Sequence, residues 1–350
     1  MARASDVLTA VKNPPNPFLS THLEWEGKPP KVQLNVLHDA SRTILSKNDS
    51  PDIRFTYSVN PYRGCMHACA YCYARPTHQY LDLGAGTDFD RRIVVKPNAP
   101  ELLREAFSKR SWRGDVIVFS GNTDCYQPIE AHYELTRRCL EVCAEFKNPV
   151  SIITKSSLVE RDLDVLSELA ATSWLCVTMS IPFADADTAR AIEPFAPTPR
   201  RRFKTVRRLA DAGVNMQVNV APIIPGLNDR DIPTLLEQAA EAGATSAGHT
   251  LVRLPGPVET IFIERIRTAL PLQADKILNR LADARRGQNA ACFGERMIGR
   301  GNYWDAIEML WRTNVARLGL NSCVVNVPEQ EIPSTFQRPW EGKQLDMFSD

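Results

Sequence analysis

The chain reads as an α/β protein built on a partial (β/α)6 TIM-like barrel, with an N-terminal arm and a C-terminal extension. Two features carry that expectation. Short β-branched runs alternate with stretches of helical apolar spacing, and such alternation calls for parallel strands joined by right-handed crossovers. The 350 residues, 43% of them hydrophobic, also suffice for one large barrel with appendages or for two domains.

Residues 1–50 lack strong periodicity, and Pro14-Pro15 and Pro29-Pro30 mark an extended arm. Strands are expected at 55–59, 116–120, 150–154, 175–181, 214–221 and 247–254. Between them, Leu135, Cys139, Val142, Cys143 and Phe146 fall on one helical face. Phe203, Val206, Leu209 and Ala210 do the same before Gly213, a helix stop. Asp231-Ile232-Pro233 opens a helix that ends near Gly243. The barrel is thus assigned to 51–257, a helical extension to 258–332 and a Pro-rich, flexible polar tail to 333–350. Active sites of such barrels lie at the carboxyl ends of the strands.

Charge and cysteine usage narrow the function. Lys+Arg number 42 against 41 Asp+Glu, so any polyanion-binding surface must be local. No stretch is apolar enough to span a bilayer, and the N-terminus lacks a secretory pattern, which implies a cytoplasmic protein with no membrane partner. The nine cysteines are an odd number, three clustered and six scattered, which argues for ligands in a reducing compartment rather than a disulfide framework.

The cluster lies in Asn60-Pro61-Tyr62-Arg63-Gly64-Cys65-Met66-His67-Ala68-Cys69-Ala70-Tyr71-Cys72-Tyr73, directly after the first expected strand. Three soft thiolates, Cys65, Cys69 and Cys72, suit an iron–sulfur cube. A loop this short can reach three irons and leaves the fourth without a protein ligand. The alternative is a zinc site of Cys65, His67, Cys69 and Cys72, in a non-catalytic nucleic-acid-binding module. Cys139, Cys143 and Cys176 read as buried free thiols, while Cys292 and Cys323 have no evident place.

The Cys-x3-Cys-x2-Cys spacing resembles the radical S-adenosylmethionine (SAM) superfamily. Further segments resemble its spore photoproduct lyase branch, the DNA repair photolyase-like proteins, from about Ser50 to about Pro257. They are Ser50-Pro51-Asp52-Ile53, Tyr71-Cys72-Tyr73-Ala74-Arg75-Pro76-Thr77-His78, Thr123-Asp124-Cys125-Tyr126-Gln127-Pro128-Ile129-Glu130, Thr154-Lys155-Ser156 and Ala221-Pro222-Ile223-Ile224-Pro225-Gly226. The resemblance implies a radical SAM barrel, a 4Fe–4S cluster, SAM as cofactor, and flavodoxin or ferredoxin as electron donor. It implies SAM contacts at Tyr71, Tyr73, Thr123, Asp124, Lys155, Ser180 and Ala221, with Glu130, Glu193 and Arg190 as further candidates. In that branch a cysteine at the end of strand two donates hydrogen. Here that place falls on Gly121 or Asn122, and Cys125, a few residues on, is either a relocated donor or a packed thiol.

The resemblance also implies damaged or modified DNA as substrate, with RNA, protein or a small molecule as alternatives. The basic run Arg200-Arg201-Arg202-Phe203-Lys204-Thr205-Val206-Arg207-Arg208 offers either a phosphate-binding or a merely solvated face. Arg296, Arg300, Tyr303, Trp304 and Trp311 form a second basic and aromatic region, although tryptophans seven apart suit a helix core. Near the end of the chain, Gln344, Leu345, Met347 and Phe348 resemble the peptide by which bacterial repair proteins bind the replication sliding clamp.

Overall fold

The computed structural model describes residues 14, 16–18, 33–53, 55–285, 293–322, 332 and 334–339. Its strands are β1 (Asn35–His38), β2 (Leu45–Lys47), β3 (Tyr57–Val59), β4 (Tyr62–Arg63), β5 (Arg92–Val95), β6 (Ile117–Phe119), β7 (Val150–Thr154), β8 (Leu175–Ser180), β9 (Met216–Ile223), β10 (Ser246–Leu251) and β11 (Asn321–Ser322). The main sheet runs β11-β10-β9-β8-β7-β6-β3-β2 and does not close on itself. Its six expected barrel strands, β3 and β6 to β10, are parallel. Helices cover the sheet, so a strand such as β8 is buried at all six positions, polar Thr178 and Ser180 included.

The register sets the site. Val59 pairs with Phe119, Phe119 with Ile152, Thr154 with Met179, and Ser180 with Asn219. The segments that follow these strands therefore emerge along one rim. Local signals behave as expected around them. Thr198 caps the helix Pro199–Asp211 by accepting from Arg201 N, with Pro199 in the first turn. Gly213 then leaves that helix at φ +82°, a conformation open to glycine at little cost.

Two regions carry packing that the sequence pattern alone does not show. The arm assigned to 1–50 supplies two strands, β1 pairing with β5 and β2 with β3. The first belongs to a separate three-stranded sheet, β1-β5-β4, whose core gathers Tyr62, Ile93, Val95, Ile129 and Leu135. Strands of two to four residues carry too few positions for a period to show. At the other end, Phe336 of the expected tail stacks on Phe146 at 6.0 Å and meets Phe107 edge-on at 5.9 Å. Trp304 and Trp311 are buried, the latter 4.3 Å from the His249 ring, so they line core. Among the described residues no helix is long and apolar enough to cross a membrane. Cys292, Cys323 and the segment with Gln344, Leu345, Met347 and Phe348 lie outside the described residues.

Candidate active site

The cysteine loop, 64–74, leaves the rim after β3 and is held chiefly through its backbone. Gly64 sits at φ +81°, and a Cβ there would come within 2.8 Å of the His78 ring and of Phe89 O. Gln127 clasps the loop start, accepting from Met66 N at 3.0 Å and donating to Gly64 O at 2.9 Å. Cys65 N donates to Phe89 O, and Ala70 N to Ile192 O, both at 3.0 Å. From below, Arg75 spreads its fork over Cys69 O, Ala85 O and Gly86 O, each at 3.0 Å, and over Asp90 at 2.9 Å. A loop tied down this way presents its side chains in a fixed arrangement.

Cys65 and Cys69 are buried and Cys72 is partly so. The three thiols lie within electrostatic range of one another, Cys65 of both others and Cys69 of Cys72. Burial pushes all three thiols up, while Lys155 pulls Cys69 down and Arg75 and Lys155 pull Cys72 down. The donor set suits an iron–sulfur cube: three soft thiols on one short loop, with neighbouring cations to offset thiolate charge. It suits zinc less well. His67 turns its Nδ1 toward Asp124 Oδ2 at 3.3 Å, an electrostatic contact. Among the described residues no three His, Cys, Asp or Glu side chains converge on a point that one ion could occupy.

The expected SAM-contact residues divide into two groups. Asp124 points inward, its Oδ1 accepting from the Thr154 hydroxyl at 2.7 Å and from Tyr126 N, its Oδ2 from Lys155 N at 2.9 Å. Burial alone would raise its pKa, but His67, Lys155 N–H and the Thr154 hydroxyl hold it below the usual range. Asp124 thereby fastens the ends of β6 and β7 to the cysteine loop. Ser180 ends β8, and its carbonyl accepts from Arg202 at 2.9 Å. Ala221 precedes Pro222 across a cis peptide bond in β9. Thr123 differs: its hydroxyl is buried and has no partner among the described residues. Tyr73 is half exposed, and its hydroxyl donates to Gly121 O at 2.9 Å.

Cys125 lies in the segment after β6. It is 1% exposed, its N–H donates to Ser120 Oγ at 2.8 Å, and its carbonyl accepts from the Thr136 hydroxyl at 2.7 Å. Glu130 also holds structure, accepting from the Tyr62 hydroxyl, Arg161 and Thr136 N. Arg190 lines a surface cleft with residues 194–198.

The sequence reading missed a buried charge network behind the loop. Glu193 is fully enclosed and receives the Tyr71 hydroxyl, Arg202 Nη2 and, at 3.2 Å, Lys155 Nζ. Burial would raise the Glu193 pKa, but Arg202 and Lys155 win and hold it at about 2. Lys155 Nζ also stands 5.5 Å from the Tyr71 ring centroid. Lys155 is thus an ion-pair partner in this arrangement rather than a free cation, although an ammonium carries three donors and one contact does not exhaust them. The available signal lay in the helix period. Arg202 shares the apolar stripe of Val206 and Leu209, four and seven residues on, and a cation on a buried face requires a buried acid.

The sequence model of the radical SAM superfamily matches residues 59–239. An uncharacterized protein of Mycobacterium tuberculosis is 42% identical over 219 residues, which is 62% of this chain and 64% of that protein. One from Methanocaldococcus jannaschii is 33% identical over 173 residues, 49% of this chain and 62% of its own length. The chain therefore matches somewhat under two thirds of the length of these relatives. In structure it is similar to spore photoproduct lyase complexed with dinucleoside spore photoproduct, at TM-score 0.60 and 16% identity, covering 85% of this chain and 86% of that one. A mutant of that lyase with bound AdoMet matches equally, at TM-score 0.60 over the same coverage. These structures establish the fold alone.

Proposed function

The chain belongs to the radical SAM superfamily, whose enzymes use a 4Fe–4S cluster and SAM, and on that premise we propose that Cys65, Cys69 and Cys72 hold the cluster and that damaged or modified DNA is the substrate. The observation that carries this reading is the loop itself: three thiols at the strand ends, with the nearby histidine turned onto Asp124. When bound, the cluster supplies the electron that cleaves SAM to methionine and a 5′-deoxyadenosyl radical. A flavodoxin- or ferredoxin-type protein delivers that electron.

The chain's own residues bind and orient. The unpartnered Thr123 hydroxyl offers SAM a hydrogen bond, and Lys155 offers its ammonium to the SAM carboxylate. Tyr71 and Tyr73 flank Cys72, and with Ala221 they would border the adenine. Asp124 and Glu193 act as positioning residues, the first through His67 and Lys155 N–H, the second through Tyr71 and Lys155. The DNA reading is supported by the fold shared with spore photoproduct lyase over most of both chains. The basic helix face adds no support to this reading. Arg201 and Arg208 share Glu160, Arg202 is buried, and the face opens on a groove shared with the helix Ile232–Glu241 rather than on the rim.

The test is anaerobic turnover of the reconstituted chain with dithionite, SAM and ultraviolet-irradiated thymine-rich DNA. Irradiated DNA should raise 5′-deoxyadenosine formation above the level with unirradiated DNA. Equal formation with both, and a rise with RNA or peptide instead, would overturn the DNA substrate.

A further inference from the structure

Three arginines gather where the open end of the barrel meets the cysteine loop. Arg253 follows β10, Arg285 ends the helix Ala274–Arg285, and Arg296 lies on a segment beside β10, where Met297 O accepts from Leu251 N at 3.1 Å. Arg296 is satisfied, pairing through Nε with Asp52 and through Nη2 with Ser50 Oγ at 2.5 Å. Arg285 gives its Nη2 to Val252 O at 2.7 Å and Arg296 O at 3.0 Å.

Two buried donors remain. Arg285 Nη1 and Arg253 Nε have no partner among the described residues. Asp52 is within electrostatic range of Arg253 but is already committed to Arg296 and to Gly294 N. Burial and Arg296 push the Arg253 pKa down, and burial and Arg253 do the same to Arg285. A guanidinium remains charged through such shifts, so the cost persists until an acceptor arrives. The place is functional by position, because Arg253 is also an electrostatic neighbour of Tyr73, the residue after Cys72.

We propose that Arg253 Nε and Arg285 Nη1 form an anion seat for a phosphodiester group of the nucleic-acid substrate, holding the strand against the open side of the barrel. One charged N–H from each of two guanidinium groups can meet the two free oxygens of a phosphodiester. This inference rests on the DNA reading above. The rival anion is the SAM carboxylate, and the experiment separates the two.

The reconstituted full-length chain is titrated with fluorescein-labelled single-stranded oligothymidylate and followed by anisotropy, with SAM affinity measured in parallel by equilibrium dialysis. Arg253 makes no hydrogen bond or ion pair among the described residues, so its replacement spares the fold. Arg253→Gln should weaken strand binding about tenfold, the loss of one charge-assisted contact. It should also lower the slope of log affinity against log salt by about one. Arg253→Lys should recover part of the loss, and a strand with neutral methylphosphonate linkages should bind parent and variant alike. Unchanged strand affinity, a loss of SAM affinity in its place, an equal loss in Arg200→Gln on the outer helix face, or no strand binding by the parent would each overturn the seat. Because binding is read without turnover, a chain that binds strand through Arg253 yet cleaves no SAM refutes only the proposed function. One that cleaves SAM but binds strand independently of Arg253 refutes only the seat.

Discussion

Glu193 pairs with Tyr71 of the cysteine loop and Asp90 with Arg75 just after it, and their surroundings push the two acids in opposite directions. Burial raises both. At Glu193 two cations, Arg202 and Lys155, overcome it and bring the pKa from the ordinary 4.5 to about 2. At Asp90 the ion-pair partner is Arg75, whose other donors go to Cys69 O in the loop and to Ala85 O and Gly86 O beyond it, and burial prevails, lifting the pKa from 3.8 to about 6. The difference teaches that what decides is how fully an acid is compensated: Glu193 ion-pairs with two cations, whereas Asp90 shares Arg75 with three backbone carbonyls.

The largest effect should come from breaking the better-compensated side. Glu193→Gln leaves Arg202 and Lys155 as buried cations without their acid, and should cost about 3 kcal/mol in urea unfolding of the full chain. The pH dependence follows from the depressed pKa. The Glu193 contribution is fully present above about pH 4.5 and is lost as pH falls toward about 2. In Glu193→Gln that acid limb should flatten.

Asp90 has the reverse sign. Its raised pKa means that the folded state favours the protonated acid, so this contribution is present below about pH 3.8 and is lost as pH rises through about 6. Asp90→Asn removes the burial penalty together with the Arg75 pair, and should change stability near neutral pH by no more than about 1 kcal/mol. It should also remove the loss of stability between those two pH values, a change readable in the same urea series. The smallest effect belongs to the outer helix face. Glu160→Gln breaks pairs with Arg201 and Arg208, whose side chains are 40% and 62% exposed, and should cost less than about 1 kcal/mol. A loss there equal to that in Glu193→Gln would break the comparison.

The sequence shows the parts of this site that are local. Cys65, Cys69 and Cys72 lie within eight residues, and their spacing is readable without any fold. The six barrel strands are readable because short β-branched and apolar runs, as in Leu175–Ser180, alternate with stretches of helical spacing. The network of Tyr71, Lys155, Glu193 and Arg202 is not local. It exists only once the register of β7 and β8 brings the segments that follow them to one rim. Asp124 reads as a ligand-facing acid in sequence, yet its oxygens are taken by backbone and hydroxyl donors that only the folded chain supplies. Arg253 and Arg285 are unremarkable in sequence, because a missing partner is a property of three-dimensional surroundings.

The most direct test of the central claim is anaerobic reconstitution of the full chain with iron and sulfide, followed by metal analysis and an assay for 5′-deoxyadenosine with dithionite and SAM. The account predicts about four irons per chain and 5′-deoxyadenosine formation, both lost in Cys65→Ala, Cys69→Ala and Cys72→Ala. Full iron and full SAM cleavage in any one of these variants, or uptake of zinc with no iron by the parent chain, would contradict it.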